Sequence, residues 1–398
     1  MFQKLVSHND DLRRLLERGY AVAFDSNHLI VRDVPYLDAE LNLQVGAIVT
    51  KLEFVDQQRV IQQDHQIFFA GGAPHGLDGK PITNLGGGAT SLVLTEACKD
   101  VAVQRSFSNK PKATGKFSDF FEKIESYVTI ISGPAIERHG ASAYTFRAVE
   151  QVASDSVFKF HDTLTSRAEI ADLRAKFKDD VVAVIGLGGT GAYLLDFLVK
   201  TPVREIRAYD LDGFHVHNSF RSPGRLDENE LGKSKAEVYR SRYENFRTGL
   251  SIIPRFIDAS CVEEFDGVTF AFVCVDKGSS RAGIFELLIS KGIPFIDVGM
   301  GLKRKGEPLT GMLRTTYYSV EDARKLRDRG LAELTDSPND IYRANIQIGE
   351  LNALNASLAI IRFKQLRGFY FEELPHYDLT FGIGDMKTIG EWEIDGSP

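Results

Sequence analysis

The sequence predicts an α/β fold: a Rossmann-like, mostly parallel sheet with helices on both faces, preceded by a smaller α+β domain. From about residue 160 onward, continuously apolar segments alternate with helical ones, which is typical of parallel strands buried on both faces. Before that point the pattern is mixed, and glycine clusters at Gly71-Gly72 and Gly86-Gly87-Gly88 break it into loops. We therefore predict an N-terminal α+β domain over residues 1–155 and a second domain over residues 156–398.

Three segments of the N-terminal domain have patterns that predict regular structure. A helix is predicted over Asp10–Gly19, and strands are predicted over Val45–Phe54 and Gln66–Ala70. No motif in this domain indicates a chemical reaction. By analogy of architecture alone, we expect the domain to recognise a partner protein.

The second domain alternates strands and helices along its length. The predicted strands or extended segments are Val181–Ile185, Glu205–Tyr209, Ser251–Phe256, Thr269–Val275 and Pro294–Val298. The predicted helices are Thr190–Val199, Ser234–Asn245, Arg281–Lys291 and Asn345–Gln365. Asn345 and Asn352 share a face of the last helix, where buried amides usually bond to a neighbouring loop or subunit.

Composition and charge limit the classes of function. Hydrophobic residues make up 43% of the 398 residues and charged residues 26%, which is typical of a soluble globular protein. The formal net charge of -7 argues against a nucleic-acid-binding protein, which usually has a basic face. No apolar run approaches the length of a membrane span. We therefore expect a cytoplasmic protein that binds neither nucleic acid nor membrane.

A glycine-rich loop, residues 186–191, lies between the first predicted strand and helix of the second domain. Phosphates approach backbone N–H groups at a helix N-terminus, where a Cβ would obstruct them. The glycines predicted to bind a nucleotide are Gly186, Gly188, Gly189 and Gly191. Asp210 ends the next strand, where an acid accepts hydrogen bonds from a ribose. These features suit NAD, FAD and ATP equally.

Three features further along the chain favour ATP over a dinucleotide. They are Asn218-Ser219-Phe220-Arg221, Gly232-Lys233-Ser234-Lys235, and Asp276 after a buried strand. ATP carries more negative charge than a dinucleotide, and its pyrophosphate must leave. Arg221 and Lys235 can offset that charge, and Asp276 can hold Mg²⁺. Each residue alone is also explained as a surface arginine, a solvated helix lysine or a helix cap, but their order and spacing favour the ATP site.

Together these motifs resemble the ThiF/MoeB/HesA family, whose adenylating domain is shared with ubiquitin-activating enzymes. The resemblance covers about residues 160–302, where the D-x-D motif of the family is Asp210-Leu211-Asp212. The family pattern continues with N-x-x-R, G-x-x-K and an acid after a buried strand. The extra N-terminal domain resembles architectures found in bacterial ubiquitin-like conjugation operons.

The resemblance implies a role for each motif residue. Asp210 would hold the ribose, with Asp212 beside it, and Asp276 would hold Mg²⁺ or the transferring group. The residues implied to contact the triphosphate are Asn218, Arg221 and Lys235. Family members often add an arginine that reaches a partner subunit's site, and Arg167 is the candidate, although an ordinary helix-start arginine explains it equally well. Since family members are commonly symmetric dimers, we expect a homodimer.

The expected reaction is attack of a carboxylate on the α-phosphorus of ATP, which releases pyrophosphate and leaves an acyl-adenylate. The favoured substrate is the C-terminal glycine of a ubiquitin-like protein in a bacterial conjugation pathway, with antiphage defence as a setting and a conjugating-enzyme-like protein as a further partner. Alternatives are adenylation of a small carboxylate or a tRNA base, a nicotinamide-dependent oxidoreductase, and a non-catalytic scaffold. The oxidoreductase leaves Arg221, Lys235 and Asp276 without a use.

The cysteines depart from the pattern of ubiquitin-activating enzymes. No cysteine follows Cys274, and the paired C-x-x-C zinc motif of the family is absent. Acidic neighbours of Cys261 argue against a nucleophile there, since they raise a thiol pKa. We therefore expect the reaction to stop at the adenylate or to use a nucleophile elsewhere, with Cys98 or a hydroxyl as candidates.

Overall fold

A computed structural model of the chain contains two compact units, residues 1–171 and 172–398, each with its own hydrophobic core. The residues it describes are 2–95, 98–112, 114–149, 156–160, 171–336 and 346–392. The domain boundary at residue 155 stays a prediction. Arg167 and Asn345 lie outside the described residues, so the expectation for Arg167 stays a prediction. The helix predicted over Asn345–Gln365 begins at Gly349, because residues 346–348 are not helical, so its predicted start at Asn345 is wrong.

The first unit is built on a six-stranded sheet with the strand order β1-β2-β3-β6-β8-β7, in which all neighbours are antiparallel. Its helices are α1 (Phe2–His8), α2 (Asp10–Arg18) and α3 (Phe120–His139). Its strands are β1 (Ala21–Asp25), β2 (His28–Leu37), β3 (Leu43–Lys51), β4 (Glu53–Phe54), β5 (Val60–Ile61), β6 (Ile67–Ala70), β7 (Gly88–Ala89) and β8 (Arg105–Phe107). The predicted helix and the second predicted strand correspond to α2 and β6, whereas the first predicted strand is divided into β3 and β4.

The second unit is built on an eight-stranded sheet with the order β11-β10-β9-β12-β13-β14-β15-β16. Its helices are α4 (Ala171–Arg174), α5 (Gly189–Val199), α6 (Val216–Ser219), α7 (Lys235–Tyr243), α8 (Gly278–Ser290), α9 (Ala323–Asp328) and α10 (Gly349–Leu366). Its strands are β9 (Val181–Ile185), β10 (Glu205–Tyr209), β11 (Leu250–Ile253), β12 (Phe270–Val273), β13 (Phe295–Arg304), β14 (Leu309–Tyr318), β15 (Asp378–Gly382) and β16 (Lys387–Glu391). The strands from β11 to β13 are parallel, and β14, β15 and β16 extend the sheet in antiparallel fashion.

Both faces of this sheet are covered, as the continuously apolar strands predicted. Val182 and Val184 of β9 belong to a core on one face, together with residues of α5, α7 and α10. Ala183 and Ile185 belong to a core on the opposite face, together with residues of α8 and α9. The predicted fold class is therefore confirmed. None of the described helices is both long and apolar enough to cross a membrane.

Candidate functional site

In the second unit, the chain adds strands on both sides of β9. It first adds β10 and β11 on one side and then returns to add β12 and β13 on the other. Ligands of open parallel sheets bind outside the carboxyl ends of the strands at such a reversal. The glycine loop follows β9, and Asp276 follows β12, which is the strand beside it.

Three of the loop glycines are required by the packing of the protein itself. Gly186 has a φ of +91°, and a Cβ there would lie 2.9 Å from the carbonyl oxygen of Cys274. A Cβ on Gly191 would lie 1.9 Å from the carbonyl oxygen of Gly186. A Cβ on Gly189 would lie 2.2 Å from the amide nitrogen of Asn352. Close approach of backbone and helix, rather than a ligand, therefore explains these three.

Gly188 differs from the other three. It occupies the N-cap position of α5, and an added Cβ would have no described atom within 4 Å. No side chain caps this end of α5, and the space beside the Cα of Gly188 is open. A helix N-terminus of this kind binds anions through N–H groups and the helix dipole.

Asp210 connects the glycine loop with the D-x-D motif. Its Oδ2 accepts a hydrogen bond of 2.6 Å from the N–H of Leu187, and its Oδ1 accepts one of 2.8 Å from the N–H of Asp212. The Nζ of Lys235 lies 3.4 Å from Asp210 Oδ1 and 2.8 Å from Asp212 Oδ2. Since Lys235 is only 5% exposed, its explanation as a solvated helix lysine is wrong.

The N-x-x-R motif forms the short helix α6 and the turn after it. Asn218 is buried, and its Oδ1 accepts a hydrogen bond of 2.7 Å from the N–H of His215. Its carbonyl oxygen accepts hydrogen bonds from the N–H of Arg221 and the hydroxyl of Ser222. Asn218 therefore shapes the turn that carries Arg221, while its contact with a triphosphate stays a prediction.

Arg221 carries a donor that the described residues leave unused. Its Nε is buried and has no hydrogen-bond partner among them. A buried N–H without an acceptor costs about 1–3 kcal/mol, so such a group is usually satisfied by a ligand or by water. Partial desolvation and the positive charges of Arg221 and Lys235 lower the pKa of His217.

Asp276 lies at the end of the strand segment that includes β12, and it is exposed. The N-cap position of α8 belongs to Lys277, so Asp276 lies one residue before the cap. In the described part of the chain, no three His, Cys, Asp or Glu side chains form a group that could hold a metal ion. A magnesium ion at Asp276 would therefore depend on phosphate oxygens and water for its remaining ligands.

Two known protein families match this chain, and the two matches meet at residue 163. Residues 10–163 match a domain of unknown function, DUF6791, and residues 163–349 match the ThiF family. The second region contains the glycine loop and every motif described above. Residues 163–349 are a ThiF family domain.

Known proteins share parts of this ThiF domain. The tRNA threonylcarbamoyladenosine dehydratase of Escherichia coli is 26% identical over 38% of this chain and 59% of its own length. Ubiquitin-like modifier-activating enzyme 5 of Caenorhabditis briggsae is 22% identical over 43% of this chain and 39% of its own length. The crystal structure of E. coli MccB with succinimide has a TM-score of 0.42 and 17% identity over 55% of this chain and 65% of its own. The chain thus spans less than two thirds of each.

A buried ionic network next to Asp276 in the ThiF domain was not predicted from the sequence. Asp297 on β13 is fully buried, and Arg281 of α8 and Arg314 of β14 both donate to its carboxylate. Arg281 also donates to the carbonyl oxygen of Val275, the residue before Asp276. The network therefore fixes the backbone that carries Asp276. Its signal in the sequence is a charge in an otherwise apolar strand, since a buried carboxylate needs a partner.

The cysteines of both units are unsuited to accept an acyl group. Cys98 has no exposed surface, and Cys261 is only 5% exposed. Burial first, and the negative charge of Asp297 second, raise the pKa of Cys274 far above its ordinary value. Since the thiolate is the nucleophile, burial and a raised pKa both disfavour reaction. The expectation for Cys98 as an acyl carrier would need a local opening of the first unit.

Proposed function

We propose that the chain binds MgATP at the carboxyl ends of β9, β10 and β12 and transfers AMP to a carboxylate. The observation that carries the proposal is the coincidence of an open helix N-terminus at Gly188, a buried cation at Lys235, and an unsatisfied buried donor on Arg221. Triphosphate oxygens are acceptors that suit all three. A dinucleotide would leave the cations without a function.

In the proposed step, a carboxylate oxygen forms a bond to the α-phosphorus while the bond from that phosphorus to the bridging oxygen breaks. Pyrophosphate leaves with the bonding pair, and an acyl-adenylate remains. No protein nucleophile is required, so the side chains act by alignment and by stabilisation of charge on the leaving group. Arg221 and Lys235 supply positive charge, and Asp210 receives the ribose hydroxyls. Mg²⁺, held by Asp276 and phosphate oxygens, would supply further neutralisation of the phosphates.

The favoured acyl substrate is the C-terminal glycine of a ubiquitin-like protein. The likeness to ubiquitin-like modifier-activating enzyme 5 supports it, as does the net charge of -7, which disfavours tRNA. A tRNA-linked carboxylate is the second candidate, favoured by the likeness to the E. coli tRNA threonylcarbamoyladenosine dehydratase. We further propose a homodimer, a conjugating-enzyme-like protein as the next partner, and antiphage defence as the setting.

The nucleotide is tested by thermal stability. MgATP at a hundred times its Kd should stabilise the protein by about 2.7 kcal/mol, because only the folded state binds it. NAD should have no effect. Stabilisation by NAD and not by MgATP would replace the proposal with a nicotinamide-dependent oxidoreductase.

The reaction is tested by ATP–pyrophosphate exchange. Exchange should depend on a ubiquitin-like protein that ends in glycine, and it should fall about a hundredfold or more in Arg221→Ala, since one lost cationic contact costs roughly 3 kcal/mol. Arg225→Ala is the matched control, because Arg225 lies four residues away with a side chain 88% exposed. Equal exchange in the two variants would remove Arg221 from the reaction. Exchange that requires tRNA instead would favour the second candidate.

A further inference from the structure

Asn352 connects two parts of the candidate site, the helix that follows the glycine loop and the segment that carries Arg221. It lies in the first turn of α10 and is 1% exposed. Its Oδ1 accepts a hydrogen bond of 2.9 Å from the hydroxyl of Thr190, in the first turn of α5. Its Nδ2 donates to the carbonyl oxygen of Arg221 at 3.5 Å. One side chain therefore joins the helix that follows the glycine loop to the backbone of the motif arginine.

Close packing around Asn352 restricts the movement of both the glycine loop and the Arg221 segment. An added Cβ on Gly189 would lie 2.2, 2.4 and 2.6 Å from the three outer atoms of the Asn352 amide. On the other side, an added Cβ on Gly349 would lie 3.2 Å from the carbonyl oxygen of Phe220. Two glycines thus allow α10 to approach both the loop and the arginine segment, and the amide fills the gap between them.

We propose that Asn352 is a positioning residue that sets the distance between Arg221 and the N-terminus of α5. This inference rests on the proposed function, in which the triphosphate lies between these two groups. Asn352 itself would contact neither the nucleotide nor the carboxylate. Displacement of a reacting group by about 1 Å can cost on the order of a hundredfold in rate. Loss of Asn352 is therefore expected to lower the rate by displacing Arg221.

Asn355 provides a matched control on the same helix. It is also 1% exposed, its Nδ2 donates to the carbonyl oxygen of Gly299 at 3.1 Å, and its Oδ1 accepts from the hydroxyl of Thr315 at 3.3 Å. Both partners lie on the strands β13 and β14, which contribute no residue to the proposed triphosphate site. Asn352→Ala and Asn355→Ala therefore remove the same buried amide with the same type of contacts.

The test is a kinetic double-mutant cycle in ATP–pyrophosphate exchange. Asn352→Ala should lower kcat about tenfold or more with KM for ATP within about threefold, and Asn355→Ala should keep kcat within about threefold. Arg221→Ala and the double variant should have the same kcat, because Asn352 acts through Arg221. Equal losses in the two asparagine variants, or losses that multiply in the double variant, would overturn the inference. Thr190→Val, which removes one bond without a cavity, should show a smaller loss in kcat if Asn352→Ala does not fold.

A second measurement separates this inference from the proposed function. The side-chain Nε–H resonance of Arg221 in the nucleotide-free protein should shift in Asn352→Ala and stay in place in Asn355→Ala. A wild-type protein that catalyses no exchange would refute the proposed function, and the resonance would still decide whether Asn352 holds Arg221. An unchanged resonance in both variants would overturn the positioning role.

Discussion

Two buried lysines have opposite surroundings, and their chemistry differs for that reason. Lys235 lies between the carboxylates of Asp210 and Asp212, which stabilise its positive charge. The hydrogen bond from Lys235 in turn holds the pKa of Asp212 below its ordinary value. Lys123 on α3 is 1% exposed, and its Nζ donates to the hydroxyl of Thr50 at 2.7 Å and to the carbonyl oxygen of Asp64. Burial lowers the pKa of Lys123 to about 8.

The titration of Lys123 should make stability depend on alkaline pH. Unfolded lysine titrates near 10.5, so between pH 8 and pH 10.5 the unfolded state binds more protons than the native state. The contribution of Lys123 to stability should therefore rise across that window, by about 3 kcal/mol in total. Lys123→Met should remove this rise, and the exposed Lys116→Met should keep it. Urea unfolding midpoints from pH 7.5 to pH 10.5 measure the difference, and identical slopes in wild type and Lys123→Met would contradict the assignment.

Site residues could be predicted from sequence where short spacing and a strand end determine their place. Asp210 follows β10 directly, and Lys235 begins α7 after Ser234, whose side chain accepts the N–H of Glu237 as a helix cap. The partners of Asp297 could not be predicted, because Arg281 and Arg314 come from different elements and only the folded sheet brings them together. The same limit applies to Asn352, whose partner Thr190 lies 162 positions earlier in the chain.

At the scale of elements, predictions were correct where apolar periodicity and breakers agreed. Strand β9 and helix α5 are separated by a glycine loop, and both are found within one residue of their predicted bounds. Helix α3 was missed, although it is 20 residues long, because Gly133 and Pro134 in its interior normally interrupt a helix. The hairpin of β13 and β14 was also missed beyond Val298, since the pairing partner determines how far such a strand continues.

Two substitutions in the glycine loop should separate an effect on stability from an effect on nucleotide binding. Gly188→Ala should lower stability by no more than about 1 kcal/mol, because alanine is a poorer N-cap residue than glycine but the new methyl group meets no described atom. It should weaken MgATP binding about tenfold or more by occupying the phosphate approach. Gly189→Ala should destabilise the protein by about 1–3 kcal/mol through overlap with Asn352. Calorimetry for nucleotide affinity and urea unfolding for stability measure the two effects. Unchanged affinity in Gly188→Ala would exclude this loop as the phosphate site.

At the scale of the whole molecule, the chain contains two units with separate cores. The first core combines α1, α2 and α3 with one face of an antiparallel sheet, and the second unit has a core on each face of its own sheet. Every residue of the proposed nucleotide site that the structure describes belongs to residues 172–398. Units with their own cores can unfold separately, so one global unfolding temperature need not describe this protein.

Scanning calorimetry should therefore resolve two unfolding transitions, of which MgATP raises only one. Saturation at a hundred times Kd adds about 2.7 kcal/mol, which for a unit of this size corresponds to roughly 5–10 °C. Gly189→Ala should lower the same transition that MgATP raises, because Gly189 lies in the second unit. Lys123→Met should alter the pH dependence of the other transition, because Lys123 lies in the first unit. A single transition that responds to both substitutions would mean that the two units unfold cooperatively, and the nucleotide would then stabilise the entire chain.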